Sequence, residues 1–488
     1  MKALSNNLTI KVVPVVLAGG TGSRLWPLSR AEFPKQFLQI YENLTLFQET
    51  LGRFLKITQK DISLDKFLIV ANEEHRFIVL DQIKDFEHFE SLVVLEPCSK
   101  STAPALTLAA LQAIENGDDP VLVVSPADHI IKDNEKFIES LNEAIILASK
   151  GSIIVFGIKP ENASTGFGYI EVNPSEGYSG ALKVIDFKEK PDLKNAESYY
   201  ADGAHFWNSG IFVLKASIWI EAIKLYDLKI FDLVSKAFAN KTEDNQFIRP
   251  NLEFFEQIQA NSIDCAVIER CAQSDFSLEM IPLDIGWSDL GSWDALWYKK
   301  NKDNDGNVVK GDVLLENVKN SLIYSADRLV TAIDINNLII VETPDAILVS
   351  NRESGQKIKE IVKSLEHQGR TEAKANRKVL RPWGAFDLID EGLGFKVKRI
   401  EVNPGCSLSL QVHKNRAEHW IVVKGEATVV FEKETFKLLK NESTYIPKGS
   451  IHRLSNLGSE ILEIIEVQTG EYLNEDDILR IDDSYGRI

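Results

Sequence analysis

Short apolar runs rich in β-branched residues recur through the first part of the chain. They stand at residues 12–17 (Val12, Val13, Val15, Val16 and Leu17), 66–70, 91–95, 120–124 and 152–157, and each reads as a buried strand. Between them the spacing changes. Leu46, Phe47, Thr50, Leu51 and Phe54 recur at helical intervals, another helix runs through Leu111, and residues 134–149 are amphipathic with a helical period. Strand alternating with helix predicts an α/β fold, a doubly wound and mostly parallel sheet with helices on both faces.

The pattern then shifts. Residues 307–350 form a series of short strands, at 313–315, 321–324, 329–333, 338–341 and 346–349, with Asn and Gly marking the turns. Ile358, Ile361, Val362 and Leu365 fall at i, i+3, i+4 and i+7 and predict an amphipathic helix. Residues 366–376 are polar and read as a linker. From Arg377 onward the chain is all-β in character. The predicted organisation is an α/β domain at 1–300, an appendage at 301–352, a helix and linker at 353–376, and an all-β domain at 377–488.

Composition narrows the function classes. A length of 488 residues accommodates two or three domains. No apolar run approaches the ~18 residues of a membrane span, and the N-terminus carries no signal-peptide pattern. A formal charge of −17 argues against a general nucleic-acid binder but permits an anionic substrate in a local positive field. Cys98, Cys265, Cys271 and Cys406 are scattered without a CxxC, as expected of a chain in a reducing cytoplasm.

Chemistry concentrates at residues 12–37. The first strand ends in Leu17-Ala18-Gly19-Gly20-Thr21-Gly22, a glycine turn able to bring backbone N–H groups against phosphate, followed by Arg24 and, behind Phe33-Pro34, by Lys35. No Gly-Lys-Ser/Thr follows, so this is not a Walker loop, and Leu25 stands where a dinucleotide fingerprint needs a small residue. The combined pattern LAGGTGSRLWPLS…PKQF resembles the signature of sugar-nucleotide-forming nucleotidyltransferases, specifically the mannose-1-phosphate guanylyltransferases. The same family usually reads EPxxRNTAPA where this chain has Glu96-Pro97-Cys98-Ser99-Lys100-Ser101-Thr102-Ala103-Pro104-Ala105. Lys100 keeps the charge of the arginine without its planar fork. The resemblance implies a nucleotide-diphospho-sugar transferase fold, Rossmann-like, and a small β-helix-like appendage at the short strands.

Asp128 ends the strand at 120–124 and faces the ligand crevice expected beyond parallel strand ends. By residue type alone it serves equally as a helix cap; the resemblance makes it a Mg²⁺ ligand. Four later clusters match the family's sugar-phosphate side: Thr165–Tyr169 (TGFGY), Phe187–Pro191 (FKEKP), Trp207-Asn208-Ser209-Gly210 and Gly286–Trp293. Glu189 and Asn208 suit sugar hydroxyls, Gly168 offers a backbone N–H, Lys190 is a point charge for the sugar phosphate, and Asp289 is the second Mg²⁺ carboxylate. Asp264 is a lesser candidate. Implied partners are GTP and mannose 1-phosphate, with Arg24 on the leaving phosphates and Lys35 on the reacting ones.

In the all-β part, Gly405-x5-Gln411-x-His413-x4-Glu418-x6-Gly425 and Pro447-x-Gly449-x2-His452-x3-Asn456 match the two halves of a cupin signature, with Gln in place of the first His. Residues two apart on a strand share a face, so Gln411 and His413 can point together into a barrel mouth. With Glu418 and His452 they make a site for Zn²⁺ or another divalent ion. RPWG at 381–384, RAEHWIVVKGEA from Arg416 and EVQTGEYLNEDDILR from Glu466 resemble the phosphomannose isomerase domain fused to bacterial guanylyltransferases. That implies mannose 6-phosphate and fructose 6-phosphate as substrates. Arg487 is a candidate for their phosphate, and His419 for an acid/base or for orienting Glu418. His413-Lys414-Asn415 departs from the family's run of three histidines, so a guanylyltransferase with a structural or regulatory cupin stays open beside the bifunctional reading. A cytoplasmic homo-oligomer, a dimer, is expected.

Overall fold

The computed structural model describes residues 9–483 and 485, apart from 21, 58, 60, 87–88, 174–179, 245 and the side chain of 356. Two compact units are present, one of residues 1–343 and 347–364 and the other of 344–346 and 365–488.

The first unit is built on a twelve-stranded sheet. One half of it is parallel: Phe247–Arg249, Ser91–Glu96, Phe67–Asn72, Ile10–Leu17 and Val121–Pro126 lie side by side. Ile10–Leu17 lies in the middle of the sheet, and its last six residues are buried, as its β-branched composition requires. Beyond Val121–Pro126 the long strand His205–Lys215 enters antiparallel, followed by Ile153–Ile158 and Leu278–Leu283 and by the antiparallel pair Leu182–Lys188 and Tyr169–Val172. Helices Thr102–Ile114, Ala216–Tyr226 and Leu228–Ala239 seal the sheet through a core that includes Trp219, Leu106 and Val234.

His205–Lys215 starts earlier than its apolar run. The Trp207–Gly210 cluster lies inside the strand. Against Ile153–Ile158 the register slips, Val155 facing Phe212 but Gly157 facing Asn208, and Gly210 takes φ +72°. This bulge re-aims Asn208 while the strand continues.

After the sheet, successive coils pair in parallel: Val308–Lys310, Leu322–Ser325 and Leu338–Thr343 in one ladder, Val313–Glu316 and Val330–Ile333 in another. Asn317, Asn320, Asp334 and Asn337 occupy the left-handed corners. These side chains tolerate that conformation better than other residues. Asn317 also donates to Asp334 across adjacent coils at 2.6 Å. The helix Ile358–His367 follows.

The second unit is two sheets closed over one core. Lys378–Arg381, Gly384–Gly392, Phe395–Val402, Leu462–Gly470, Arg416–Lys424 and Ser443–Ile446 form one, and Glu434–Leu438, Ala427–Phe431, His452–Ser455, Leu410–His413 and Ile478–Asp482 the other. Val402, Trp420, Val422 and Ile464 from the first meet Val429 and Leu454 from the second.

One residue tests the β-helix. Gly311 has φ +93°, and a Cβ there would lie 2.0 Å from the Ser325 carbonyl oxygen. Gly311→Ala should destabilise the first unit by about 2 kcal/mol or more, read as a lowered calorimetric transition of the full-length protein.

Candidate active sites

The glycine turn follows directly from the central strand. Gly22 has φ +56°, and a Cβ on it would stand 2.8 Å from Lys35 Cγ, so the loop can close over Lys35 only with glycine there. Ser29 donates to the Gly22 carbonyl at 2.7 Å, and the buried Gln36 amide donates to the Ala18 carbonyl at 2.8 Å, fixing both ends of the turn. Thr21 lies outside the described residues.

Lys35 is buried and bridges two loops. Its ammonium contacts Asp128 Oδ2 at 2.9 Å and donates to the Asp289 carbonyl at 2.6 Å. Those loops are zipped together by a two-bond bridge, Ile130 N–H to Ser288 O at 2.9 Å and Ser288 N–H to Ile130 O at 3.0 Å. Burial works against the charge of Asp128, but the neighbouring Lys35 outweighs it and holds the carboxyl below its usual range. Asp128 is not a helix cap; that position belongs to Asp133, whose side chain accepts from the Lys136 N–H. Asp289 accepts the Gly291 N–H through Oδ1. A Cβ at Gly291 would lie 2.7 Å from Asp289 Oδ2 and 3.1 Å from Arg24 Nη1, so this glycine lets Arg24 and Asp289 approach one another. The result is two carboxylates and two cations at one crevice. Two carboxylates with room for water and phosphate oxygens suit Mg²⁺.

The sugar-side clusters also converge. A Cβ at Gly168 would lie 2.6 Å from Glu189 Oε2. The Asn208 N–H donates to the Gly168 carbonyl at 2.8 Å, and its side-chain amide donates to Asp264 at 2.7 Å. Asp264 opens a π-helical turn, Asp264–Ile268, a distortion frequent at functional sites. Burial, and then Glu189, push its carboxyl up to about 7. Lys190 is ion-paired to Glu189. A cavity of about 670 Å³ lined by Arg24, Asp289, Trp207, Trp287, Phe167 and Lys299 lies here.

Lys100 is turned to the Glu256 carbonyl, at 2.5 Å on the exposed side. Glu96, quoted in the sequence only as part of its motif, has more to offer. It ends the strand Ser91–Glu96 with Oε2 3.9 Å from where a Gly19 Cβ would stand. It is fully buried, its Oε1 has no hydrogen-bond partner, and burial pushes it up to about 8. A charged residue closing an apolar run was the sequence signal for it.

In the second unit Gln411, His413, Glu418 and His452 meet, all buried. His413 Nε2 is 3.2 Å from Glu418 Oε1, and His452 Nε2 is 3.7 Å from Glu418 Oε2. Ligand atoms of these three lie within 4.8 Å of one another, a set able to hold a metal ion. His452 Nδ1 faces the Ser450 carbonyl at 2.9 Å, which places its proton there and leaves Nε2 as a ligand. Gln411 pairs across the strands with His452 and presents its amide nitrogen to both imidazoles, at 3.3 and 3.5 Å. An amide flip would turn its oxygen toward the ion.

Sequence reasoning missed the groups around this triad. Arg416 and Trp420 both donate to Glu418 at 3.1 Å, and Trp420 also donates to Glu466 at 3.2 Å. Burial, then the Glu418 charge, push Glu466 up to about 8. The signal was the every-second-residue pattern Arg416, Glu418, Trp420, with polar groups on an inward face. The same alternation corrects one expectation: His419 lies on the opposite strand face, exposed and against Tyr445, so it neither reaches the pocket nor orients Glu418. Asn415 is tied to Asp477 through Nδ2 at 2.7 Å and its N–H at 3.2 Å, and Lys414 is exposed. Arg487 lies outside the described residues.

The fold and these two sites define an α/β nucleotidyltransferase followed by a β-helix and a metal-capable cupin barrel. Family models agree in order: nucleotidyl transferase at residues 13–306, MannoseP isomerase/GMP-like beta-helix domain at 307–365, and mannose-6-phosphate isomerase C-terminal at 368–483. The chain is 44% identical over 476 residues to the xanthan biosynthesis protein XanB of Xanthomonas campestris, covering 98% of this chain and 99% of that one. It is 42% identical over 483 residues to the mannose-1-phosphate guanylyltransferase of Escherichia coli, covering 98% and 99%. Among solved structures, a mannose-1-phosphate geranyltransferase from Thermus thermophilus superposes with TM-score 0.62 at 26% identity, covering 73% of this chain and all of that one. The chain belongs to the nucleotidyl transferase family, among the mannose-1-phosphate guanylyltransferases that carry a fused mannose-6-phosphate isomerase domain.

If His413, Glu418 and His452 form a metal centre, the full-length protein equilibrated with a divalent transition metal should retain about one ion per chain at this site. His413→Ala or His452→Ala should lose that ion, and Asn415→Ala should keep it, as read by metal analysis after gel filtration.

Proposed function

We propose that the first unit transfers GMP from GTP to mannose 1-phosphate, and that the second interconverts mannose 6-phosphate and fructose 6-phosphate. The observation that carries the first reading is Lys35 bonded at once to Asp128 and to the Asp289 backbone beneath the glycine turn. The sugar phosphate attacks the α-phosphorus of GTP in line, the bond to the β-phosphate oxygen breaks, and pyrophosphate leaves. The nucleophile is already an anion, so no protein base is required, and catalysis rests on positioning and charge neutralisation. An ammonium has three donors. Two of those on Lys35 are engaged, and the third is available to the reacting phosphate. Arg24 takes the leaving phosphates, while Glu189, Asn208 and the Gly168 backbone hold the mannose and Lys190 its phosphate. Asp128 and Asp289 would hold Mg²⁺, which supplies charge neutralisation to the phosphates.

Guanine presents N1–H and a 2-amino group, two adjacent donors that match one carboxylate. Glu96, buried with an unpartnered oxygen beside the turn, fits that role. The family of the chain supports the base choice independently.

For the isomerase, the cupin ligands enclose a site in which Zn²⁺ or another divalent ion would polarise the sugar carbonyl and hydroxyl. Asn415 engages Asp477 rather than the triad, which favours Gln411, His413, Glu418 and His452 as the ligand set despite the departure from three histidines.

Three outcomes are expected. Purified protein with GTP, mannose 1-phosphate and Mg²⁺ should release pyrophosphate, and Asp128→Asn should lower kcat by at least about a hundredfold. Absence of pyrophosphate release in the wild type would overturn the transfer reading. Because guanine needs the ionised form of Glu96, GTP affinity should rise between about pH 6 and 8, and Glu96→Gln should flatten that rise and narrow the preference for GTP over ATP. Fructose 6-phosphate should yield mannose 6-phosphate with added divalent metal and fail to do so in His452→Ala; no isomerisation with any metal would leave the cupin a structural or regulatory domain.

A further inference from the structure

The ion pair between Lys35 and Asp128 joins two separate segments, and one helix supports both. Leu46–Phe54 begins with a capping box: the Thr45 hydroxyl accepts the Gln48 N–H and the Gln48 side chain accepts the Thr45 N–H, each at 3.1 Å. This end of the helix is tied to the turn that carries Lys35. Gln82 donates to the Phe37 carbonyl at 3.0 Å and accepts the Thr45 hydroxyl at 2.7 Å. The buried rings of Phe37 and Phe47 meet edge to face, 5.5 Å between centres.

The far end of the helix reaches the other segment. Arg53 is 3% exposed and donates through Nη2 to the His129 carbonyl at 2.8 Å, while its Nη1 lies 3.4 Å from the Thr50 hydroxyl. The peptide unit between His129 and Ile130 is thereby held on both sides: its oxygen by Arg53, and its N–H by the Ser288 carbonyl at 2.9 Å. The His129 ring is held as well. The Trp287 indole N–H donates to its Nδ1 at 3.4 Å, and its Nε2 stands 3.7 Å from Asp128 Oδ1. Glu49 is the weaker partner of Arg53, at 3.7 Å. Burial pushes its carboxyl up to about 7, so at neutral pH that pair is only partly ionic. A buried guanidinium persists where hydrogen bonds satisfy it, and the bond to His129 is the short, charge-assisted one.

We propose that Arg53 is a positioning residue of the transfer site. It acts through the His129 carbonyl to hold Asp128 within reach of Lys35, and the helix Leu46–Phe54 sets the span between the two. The inference rests on the transfer reading for the reaction that this geometry serves. Arg53 spends its hydrogen bond on a backbone carbonyl, so what it supplies is distance: Lys35 and Asp128 meet at 2.9 Å because one short helix braces the segment on either side. A misplacement of about 1 Å caused away from the reacting atoms can cost on the order of a hundredfold in rate.

The test compares full-length Arg53→Lys with wild type, by steady-state kinetics and by crystal structure. Lysine keeps the buried charge, but its nitrogen ends short of the Nη2 position and loses the His129 carbonyl. The variant should fold, lower kcat by about tenfold and leave the KM for GTP and for mannose 1-phosphate nearly unchanged. In its crystal structure Asp128 should stand beyond hydrogen-bond reach of Lys35. Glu49→Gln, which removes the ion pair and leaves the carbonyl bond, should keep kcat near wild type. Gln82→Leu unties the opposite end of the helix from Phe37 and should lower kcat in the same way, a second perturbation that does not touch Arg53. Wild-type kcat in either folded variant would overturn the proposal, as would a change confined to KM. Should the wild type show no transfer, the transfer reading falls, while the Lys35–Asp128 distance in the Arg53→Lys crystal structure still decides whether Arg53 sets it.

Discussion

The Lys35 ammonium is the point on which the first site depends. It is buried beneath a glycine turn, bonded to a carboxylate on one loop and to a backbone carbonyl on another. A buried ammonium without such partners would be expelled or neutralised. Its presence therefore requires that the turn after the first strand, the Asp128 loop and the Asp289 loop meet at one point. Gly22 permits the approach, the Ile130–Ser288 bridge holds the two acidic loops in register, and Gly291 leaves space for Arg24. Losing any of these would move charges that act only when adjacent.

The second unit applies the same constraint with different chemistry. Glu418 is fully enclosed and sits among His413, His452, Arg416 and Trp420. Burial opposes its charge, and these neighbours more than reverse the effect, so the carboxyl is held well below its usual range. Glu466, two strand positions from Gln468 and sharing Trp420 with Glu418, moves the other way. Two adjacent buried carboxyls in one pocket cannot both ionise cheaply, and the separation gives one anionic and one protonated group side by side.

Much of this was legible in the sequence because it rests on local spacing. The glycine turn, the strand-end aspartate and the inward pair Gln411 and His413 are each fixed within a few residues, and period-2 or strand-end logic places them. What was not legible depends on long-range packing, apart from His419, where the strand's own alternation already decides the matter. His419 was a candidate through adjacency to Glu418, yet adjacency on a strand is what sends it to the other face. Asp264 ranked low because nothing local distinguishes it; its partner Asn208 lies 56 residues away and reaches it through a bulge. Glu96 passed as part of a motif because burial of its carboxylate is created by the loop across from it.

The β-helix shows how a structural element comes to bear on chemistry. Its corners are set by Asn and Asp in left-handed conformation, which fixes the coil path and hence where the chain emerges. It emerges through Arg352, whose ion pair to Asp294 and stacking on Trp297 lock it to the helix that follows the Asp289 loop. Asp294 is half-buried, and burial raises its carboxyl even against Arg352. A shift in coil register would move Gly355 off Ser292, the neighbour of the Gly291 that gives Arg24 and Asp289 room. The appendage is therefore packed against the segment that follows Asp289, and its coil path helps fix where that segment stands.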